Sequence, residues 1–336
     1  MLVSSPASVR YLTGYTGSNG LLLVTPLDSH FFTDPRYATD AQANIDCKVH
    51  ICKRGLYEES AAVAKRKQVR KLGFEPAWIN LDAHARLVAK LGRSVKLVPV
   101  AGMVEDLRAV KSPEEIARIR AAVAASSEAY RKTLARVRPG VREMDVAAEL
   151  DFQMRMLGAE KSAFETIVAS GTRTALPHAH PTDKKLAAGE LLLVDMGAML
   201  DGYASDMTRM SHLGPPSPKM RNLYKAVLAA QLAGIAAVCA GVPVNKVDAA
   251  AREVLKRHEL DKAFVHSTGH GLGLEIHEGP RIAKKDKTKL RAGMVITIEP
   301  GAYLEGFGGV RIEDTVLVTE RGCEVLTPTP KELVQI

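Results

Sequence analysis

The sequence predicts an α+β fold in two parts, a smaller α/β domain over residues 1–107 and a larger domain over 108–336 built from duplicated αββ units. Three observations predict it. The length of 336 residues exceeds the usual size of one domain. Near Lys111 the pattern changes, because Ser112-Pro113-Glu114-Glu115 reads as a helix cap with proline at the first helical position. A nine-residue segment also recurs: Asp195-Met-Gly-Ala-Met-Leu-Asp-Gly-Tyr203 matches Glu299-Pro-Gly-Ala-Tyr-Leu-Glu-Gly-Phe307 in chemical type at each position.

Taken in order, the first hundred residues alternate short apolar runs (20–24, 31–33, 96–100) with helical stretches at 58–71 and 82–91. After the Ser112 cap, Ile116, Ile119, Ala122 and Val123 form the apolar stripe of a long helix. Further helices are expected at 144–157, 218–240 and 246–258, and strands at 191–196, 295–299 and 310–318.

Composition excludes several classes. A hydrophobic fraction of 46% and a charged fraction of 25% are ordinary for a globular chain. The segment 226–244 approaches a membrane span in length, but Gln231, Gly234, Gly241 and Pro243 interrupt it, so a buried helix is expected and no membrane partner. The opening MLVSSPASVR lacks the basic start and apolar core of a secretory signal, which points to the cytoplasm. Cys47, Cys52, Cys239 and Cys323 form no C-x-x-C pair and read as reduced structural thiols. The net charge of +8 and the cluster Lys65, Arg66, Lys67, Arg70 and Lys71 come without aromatic stacking motifs, so a solvated helix face is expected rather than nucleic-acid binding.

The repeat carries the chemistry. Each copy has an acid at the end of an apolar run, then an Asp-Gly or Glu-Gly turn, then a second acid, Asp206 or Glu313. If Asp201-Gly202 is a two-residue type I′ turn, Leu200 pairs with Tyr203 and Asp206 falls opposite Gly197, diagonal to Asp195 on one face. In the second copy the acids are fourteen residues apart rather than eleven, so an odd number of extra residues must be absorbed for Glu299 and Glu313 to share a face, and Gly308-Gly309 is the expected bulge. Four carboxylates crowded on one face repel unless cations neutralise them, and two divalent ions balance that charge.

His270 lies between Gly269 and Gly271, whose lack of side chains lets the backbone approach a ligand closely, as a metal-binding imidazole requires. His178, on the Pro-bounded loop Leu176-Pro177-His178-Ala179-His180, and His277, followed by Glu278 and Arg281, stand in loops, where histidines serve catalysis more often than packing. One nitrogen with four carboxylates favours hard ions: manganese first, with cobalt or zinc as alternatives.

Together, D-x10-D, G-H-G-x-G-x-x-x-H-E, E-P-G-x-Y and R-I-E-D resemble the creatinase-type pita-bread metallopeptidases, in particular Xaa-Pro dipeptidase (prolidase) and aminopeptidase P. The short interval from Glu299 to Glu313 is that of the proline peptidases, whereas methionine aminopeptidases separate these acids more widely. The stretches Val9-Arg-Tyr-Leu-Thr-Gly-Tyr-Thr-Gly17 and Phe32-Thr-Asp-Pro-Arg-Tyr37 are similar to the family's first domain, although relatives carry a further helix before this point. The resemblance implies a pita-bread catalytic domain over 108–336 and a creatinase-like domain over 1–107. It implies that Asp195 holds one metal, Asp206 and Glu313 bridge two, and His270 and Glu299 complete the other, with His178 and His277 facing substrate. It also implies a homodimer.

The expected chemistry is metal-assisted hydrolysis of an Xaa-Pro bond in dipeptides or short peptides. Glu299 would relay a proton, His277 would stabilise the oxyanion, His178 would orient substrate or protonate the departing nitrogen, and Arg281 would bind a carboxylate. Dipeptidase action is favoured over aminopeptidase P action. A non-catalytic binding protein on this fold, or a metal-free creatinase-like hydrolase, is disfavoured by the complete ligand set. No G-x-S-x-G elbow supports a serine hydrolase, and the Gly269–Gly273 run lacks the third glycine of a dinucleotide site.

Overall fold

The computed structural model describes residues 1–336, which form two compact units, Met1–Arg108 and Ala109–Ile336. The first holds a six-stranded mixed sheet in the order β4-β3-β2-β1-β5-β6. Its strands are β1 (Leu2–Val3), β2 (Gly20–Val24), β3 (Ser29–Thr33), β4 (Lys48–Ile51), β5 (Lys71–Phe74) and β6 (Lys96–Pro99). Side chains alternate across a strand, so Leu21, Leu23 and Phe32 enter one core while Leu22 and Phe31 enter another. That is why the strands read as continuous apolar runs: both faces of the sheet are covered by helices α1 (Pro6–Thr13), α2 (Ala38–Asn44), α3 (Leu56–Arg66), α4 (Leu81–Leu91) and α5 (Met103–Arg108). The helix expected over 58–71 stops at Arg66. Gln68 turns the chain with φ 55°, and Lys71–Phe74 pairs between β1 and β6, a case of tertiary pairing overriding local helix propensity.

The second unit opens on α6 (Pro113–Leu134), capped as its sequence indicates. The Glu115 N–H donates to Ser112 Oγ at 3.3 Å, and the Ser112 N–H donates to Glu115 Oε2 at 2.8 Å. Ser112→Ala should cost about 1 kcal/mol, read as a lower urea midpoint at unchanged slope. Helix α7 (Glu143–Met156) follows, then β7 (Lys161–Ser162) and β8 (Ile167–Ser170).

Helix α8 (Pro218–Ala236) ends four residues short of the expected stop, and Gly241 at φ 84° turns the chain into α9 (Val244–Arg257). Leu223, Tyr224 and Val227 of α8 pack on Leu193, Met210 and Val310, so the apolar segment is core. No helix is long and apolar enough to cross a membrane.

The repeat forms two bent hairpins. In the first, β9 (Leu191–Met196) and β12 (Met207–His212) pair with Met196 opposite Met207, and β10 (Ala198–Leu200) and β11 (Tyr203–Ala204) pair with Leu200 opposite Tyr203. These pairs share one register, which leaves Asp206 across from Gly197 and diagonal to Asp195 as the sequence indicated. Asp201 and Gly202, at φ 48° and 76°, form the two-residue turn. Gly197 sits at the bend, where a Cβ would lie 2.0 Å from the Ser205 carbonyl oxygen.

After β13 (Gly269–Gly271) and β14 (Glu278–Ile282), the second hairpin joins β15 (Val295–Ile298) to β18 (Asp314–Thr319) and β16 (Gly301–Leu304) to β17 (Gly308–Arg311). The expected bulge at Gly308-Gly309 is absent. Gly301 faces Arg311 and Ile298 faces Asp314 in one unbroken register, so Glu299 stands directly opposite Glu313. The odd residue sits in the turn, where Glu305, Gly306 and Phe307 replace the two residues of the first copy. Gly309 instead admits a neighbouring segment, since a Cβ there would lie 2.4 Å from the Thr174 carbonyl oxygen. The strand expected over 310–318 is therefore two strands broken at Ile312-Glu313.

Candidate metal centre

The hairpins meet where their ladders break, and the break frees acidic side chains from the sheet. Backbone groups at the seam bond across it. The Glu313 N–H donates to the Thr208 carbonyl (3.3 Å), the Glu299 N–H donates to the Thr268 carbonyl (2.7 Å), and Thr315 Oγ1 donates to the Asp206 carbonyl (2.9 Å). Arg209, buried, donates to the carbonyls of Thr208 (3.0 Å) and Glu313 (2.5 Å) and to Asp314 Oδ1 (2.7 Å).

Asp206, His270 and Glu313 present ligand atoms within 4.8 Å of one another. His270 Nε2 lies 3.5 Å from Asp206 Oδ2 and 3.4 Å from Glu299 Oε1. Its Nδ1 faces the Gly271 carbonyl at 2.9 Å, an acceptor for an Nδ1 proton, so the ring is oriented with Nε2 towards the carboxylates. The flanking glycines serve strand packing rather than ligand approach. A Cβ on Gly269 would lie 1.9 Å from the Thr297 carbonyl oxygen, and one on Gly271 2.2 Å from that of Gly279.

Asp195 lines the same cavity but is turned differently. Its Oδ2 accepts from Arg311 Nη2 at 2.5 Å, while Oδ1 is buried with no hydrogen-bond partner. Burial, followed by repulsion from Asp195 and Glu299, raises the Asp206 carboxyl well above its usual range. Burial and then Asp206 do the same to Glu313, and burial raises Glu299 as well. An orphaned carboxylate oxygen, a bare imidazole nitrogen and three carboxyls driven towards protonation form a donor set that fits divalent cations.

The cavity has a volume of about 660 Å3, and its lining includes Phe164, Ile167, His178, Ile276, His277, Glu278 and Arg281 beside the acids. His178, His277 and Arg281 are exposed along it. The His277 ring packs edge-on against His270 at 4.5 Å, and burial together with the neighbouring imidazoles of His270 and His178 holds its pKa below the usual value.

Sequence reasoning missed a chain of side chains behind Asp195. Arg311 also donates to Tyr303 Oη (2.8 Å), the Pro177 carbonyl (3.0 Å) and Thr208 Oγ1 (3.0 Å). Tyr303 Oη meets His266 Nε2 at 2.9 Å, and His266 Nδ1 faces the Ser267 carbonyl at 2.8 Å, so the tyrosine hydroxyl donates to a neutral imidazole. Burial, then Arg311, lowers the His266 pKa to about 4. The signals were within reach: Arg311 opens R-I-E-D, Tyr303 lies inside the repeat, and His266 is four residues before His270.

Comparison with known proteins bears on this geometry. Residues 117–320 match the model of metallopeptidase family M24, and residues 1–110 match the creatinase/prolidase N-terminal domain. A Xaa-Pro dipeptidase of Pyrococcus furiosus is 38% identical over 99% of this chain and 94% of its own length. Among solved structures, a Xaa-Pro dipeptidase from Bacillus anthracis superposes with a TM-score of 0.97 at 38% identity, covering 100% of this chain and 94% of that one. An X-Pro aminopeptidase from Thermotoga maritima superposes with a TM-score of 0.93 at 34% identity, covering 100% and 97%. The architecture is thus the creatinase/prolidase type, with its smaller N-terminal domain.

Proposed function

The chain belongs to metallopeptidase family M24, and from that membership we propose that it is a metal-dependent exopeptidase cleaving Xaa-Pro bonds, a Xaa-Pro dipeptidase in the first instance. The observation that carries the proposal is the convergence of Asp206, His270, Glu299 and Glu313 beside the unpartnered oxygen of Asp195. The shared name of the dipeptidase relatives supports the substrate class.

Asp195, Asp206, His270, Glu299 and Glu313 are the residues proposed to hold two divalent ions, manganese in preference to cobalt or zinc. Bound there, the ions supply a Lewis acid and an activated water. Arg311 holds Asp195 through Oδ2 and leaves Oδ1 without a hydrogen-bond partner. Glu299 takes the proton released as the peptide carbonyl is attacked. His277, kept neutral by its surroundings, donates an N–H to the developing oxyanion. His178, on the cavity lining, is assigned to pass a proton to the departing proline nitrogen, the one taken up by Glu299 replacing it. A bond to proline is a tertiary amide without an N–H, so recognition falls on the ring and on the carboxylate beyond it. Arg281, exposed on the cavity lining, is assigned to meet that carboxylate.

Turnover of Ala-Pro against Ala-Pro-Ala, on protein stripped with chelator and reloaded with manganese, tests the reading. Dipeptide hydrolysis that is lost with chelator and restored by manganese is expected. Activity confined to the tripeptide would transfer the assignment to X-Pro aminopeptidase, the reading favoured by the Thermotoga maritima structure. Arg281→Ala should raise KM for Ala-Pro about tenfold while changing that for longer peptides little. Equal KM values before and after substitution would remove Arg281 from the site. Sedimentation of the purified protein checks the proposed homodimer.

A further inference from the structure

Besides the four acids of the proposed metal centre, the cavity is lined by Glu165, which is exposed, and by Glu278, which is not. Glu278 follows His277 directly, and its side chain is 5% exposed. Its carboxylate folds back beneath the turn that carries Ile276 and His277. Oε1 accepts the Glu275 N–H at 3.1 Å, and the carboxylate lies so close under Gly273 that a Cβ there would come within 2.8 Å of Oε2. Lys111, whose side chain is 1% exposed, brings Nζ to 3.1 Å from Oε2 and also reaches the Ala109 carbonyl at 3.4 Å.

The lysine is itself firmly placed. Its N–H donates to the Gly293 carbonyl at 2.9 Å, and Val110 bridges Met294 beside it. Gly293, at φ 89°, keeps that approach open, because a Cβ there would lie 3.0 Å from Val110 and 3.2 Å from the Lys111 carbonyl oxygen. The far end of the turn is tied as well, the Ala204 N–H donating to the Gly273 carbonyl at 2.8 Å.

A carboxylate this buried needs an opposite charge to offset its lost hydration, and it lies in a cavity lined by five other acids. Lys111 supplies the opposite charge from outside the metal centre, so Glu278 is free to brace the turn instead of competing for cations. We propose that Lys111 and Glu278 are a positioning pair, which sets the direction of His277 across the cavity and thereby the stabilisation of the oxyanion. This rests on the function proposed above. Lys111 touches no reacting atom and acts through the turn.

The test is a double-mutant cycle with His277, read as kcat and KM for Ala-Pro on manganese-loaded protein, with metal content measured for each variant. Lys111→Met should lower kcat about 10- to 100-fold, the scale of a small misplacement of a working group, with KM and metal content little changed. In a His277→Ala background the same substitution should add less than about twofold, because its route of action is gone. Glu278→Gln, which keeps an acceptor for Glu275, is the second variant should Lys111→Met fail to fold, and the same pattern is expected. Losses that multiply with that of His277→Ala, or an unchanged kcat, would overturn the pair as a positioning device. If the unaltered protein does not cleave Ala-Pro at all, it is the functional reading that fails.

Discussion

Glu313→Gln should lower kcat/KM for Ala-Pro by about 10^3-fold or more and, in metal-free protein, raise stability. The two effects have one cause. Glu313 is buried opposite Glu299 and beside Asp206, and the three carboxyls are pushed up by burial and by one another. Two like charges 4 Å apart repel by about 4 kcal/mol at an effective dielectric near 20. Cations convert that repulsion into binding energy, so a neutral amide loses the ions and the reaction together.

Without cations the sign reverses. A carboxyl whose folded pKa is raised contributes stability that is fully present below its unfolded pKa and lost as pH rises through the folded value. Relative to Glu313→Gln, metal-free protein should therefore lose thermal stability from about pH 5 upward, a comparison in which the opposite contribution of His266, whose lowered pKa adds stability as pH rises, cancels. Glu313→Gln should lose less over the same range, and manganese should flatten the profile. Scanning calorimetry from pH 5 to 9, with and without metal, measures all three. A metal-free profile that does not fall relative to that of Glu313→Gln, or a variant with undiminished turnover, would contradict the proposed site.

Arg311→Met should cost about 3–5 kcal/mol in metal-free protein, because it strips the partner from a buried carboxylate. Asp195 Oδ2 would lose its donor while Oδ1 already lacks one. The same side chain ties Tyr303, Thr208 and the Pro177 carbonyl next to His178, so kcat/KM should also fall by about 10^2-fold. Urea unfolding of Arg311→Met, Asp195→Asn and the double variant resolves the coupling. With metal bound the penalty should shrink, since the ions then face Asp195. A loss below about 1 kcal/mol in stripped protein would mean that the pair is solvated and contributes little.

The features legible from residues alone are local or periodic. The Ser112 cap, the Asp201-Gly202 turn and the register that sets Asp206 against Gly197 follow from residues within a few positions of one another, where turn chemistry and strand alternation leave few options. The acidic residues proposed as ligands, and their order, were legible for the same reason, because the repeat writes them twice. Tertiary structure decided the rest. The extra residue of the second hairpin went into the turn, because a bulge at Gly308-Gly309 would have broken the register that faces Glu299 with Glu313, and those glycines were needed for the close passage of Thr174. Lys71–Phe74 became a strand because two neighbouring edges were waiting for it. Arg311, Tyr303, His266 and Lys111 took their roles from partners as far as 167 positions away in the chain. Long-range ion pairing of that kind leaves no period in a sequence; only the closing of the fold in space brings the charges together.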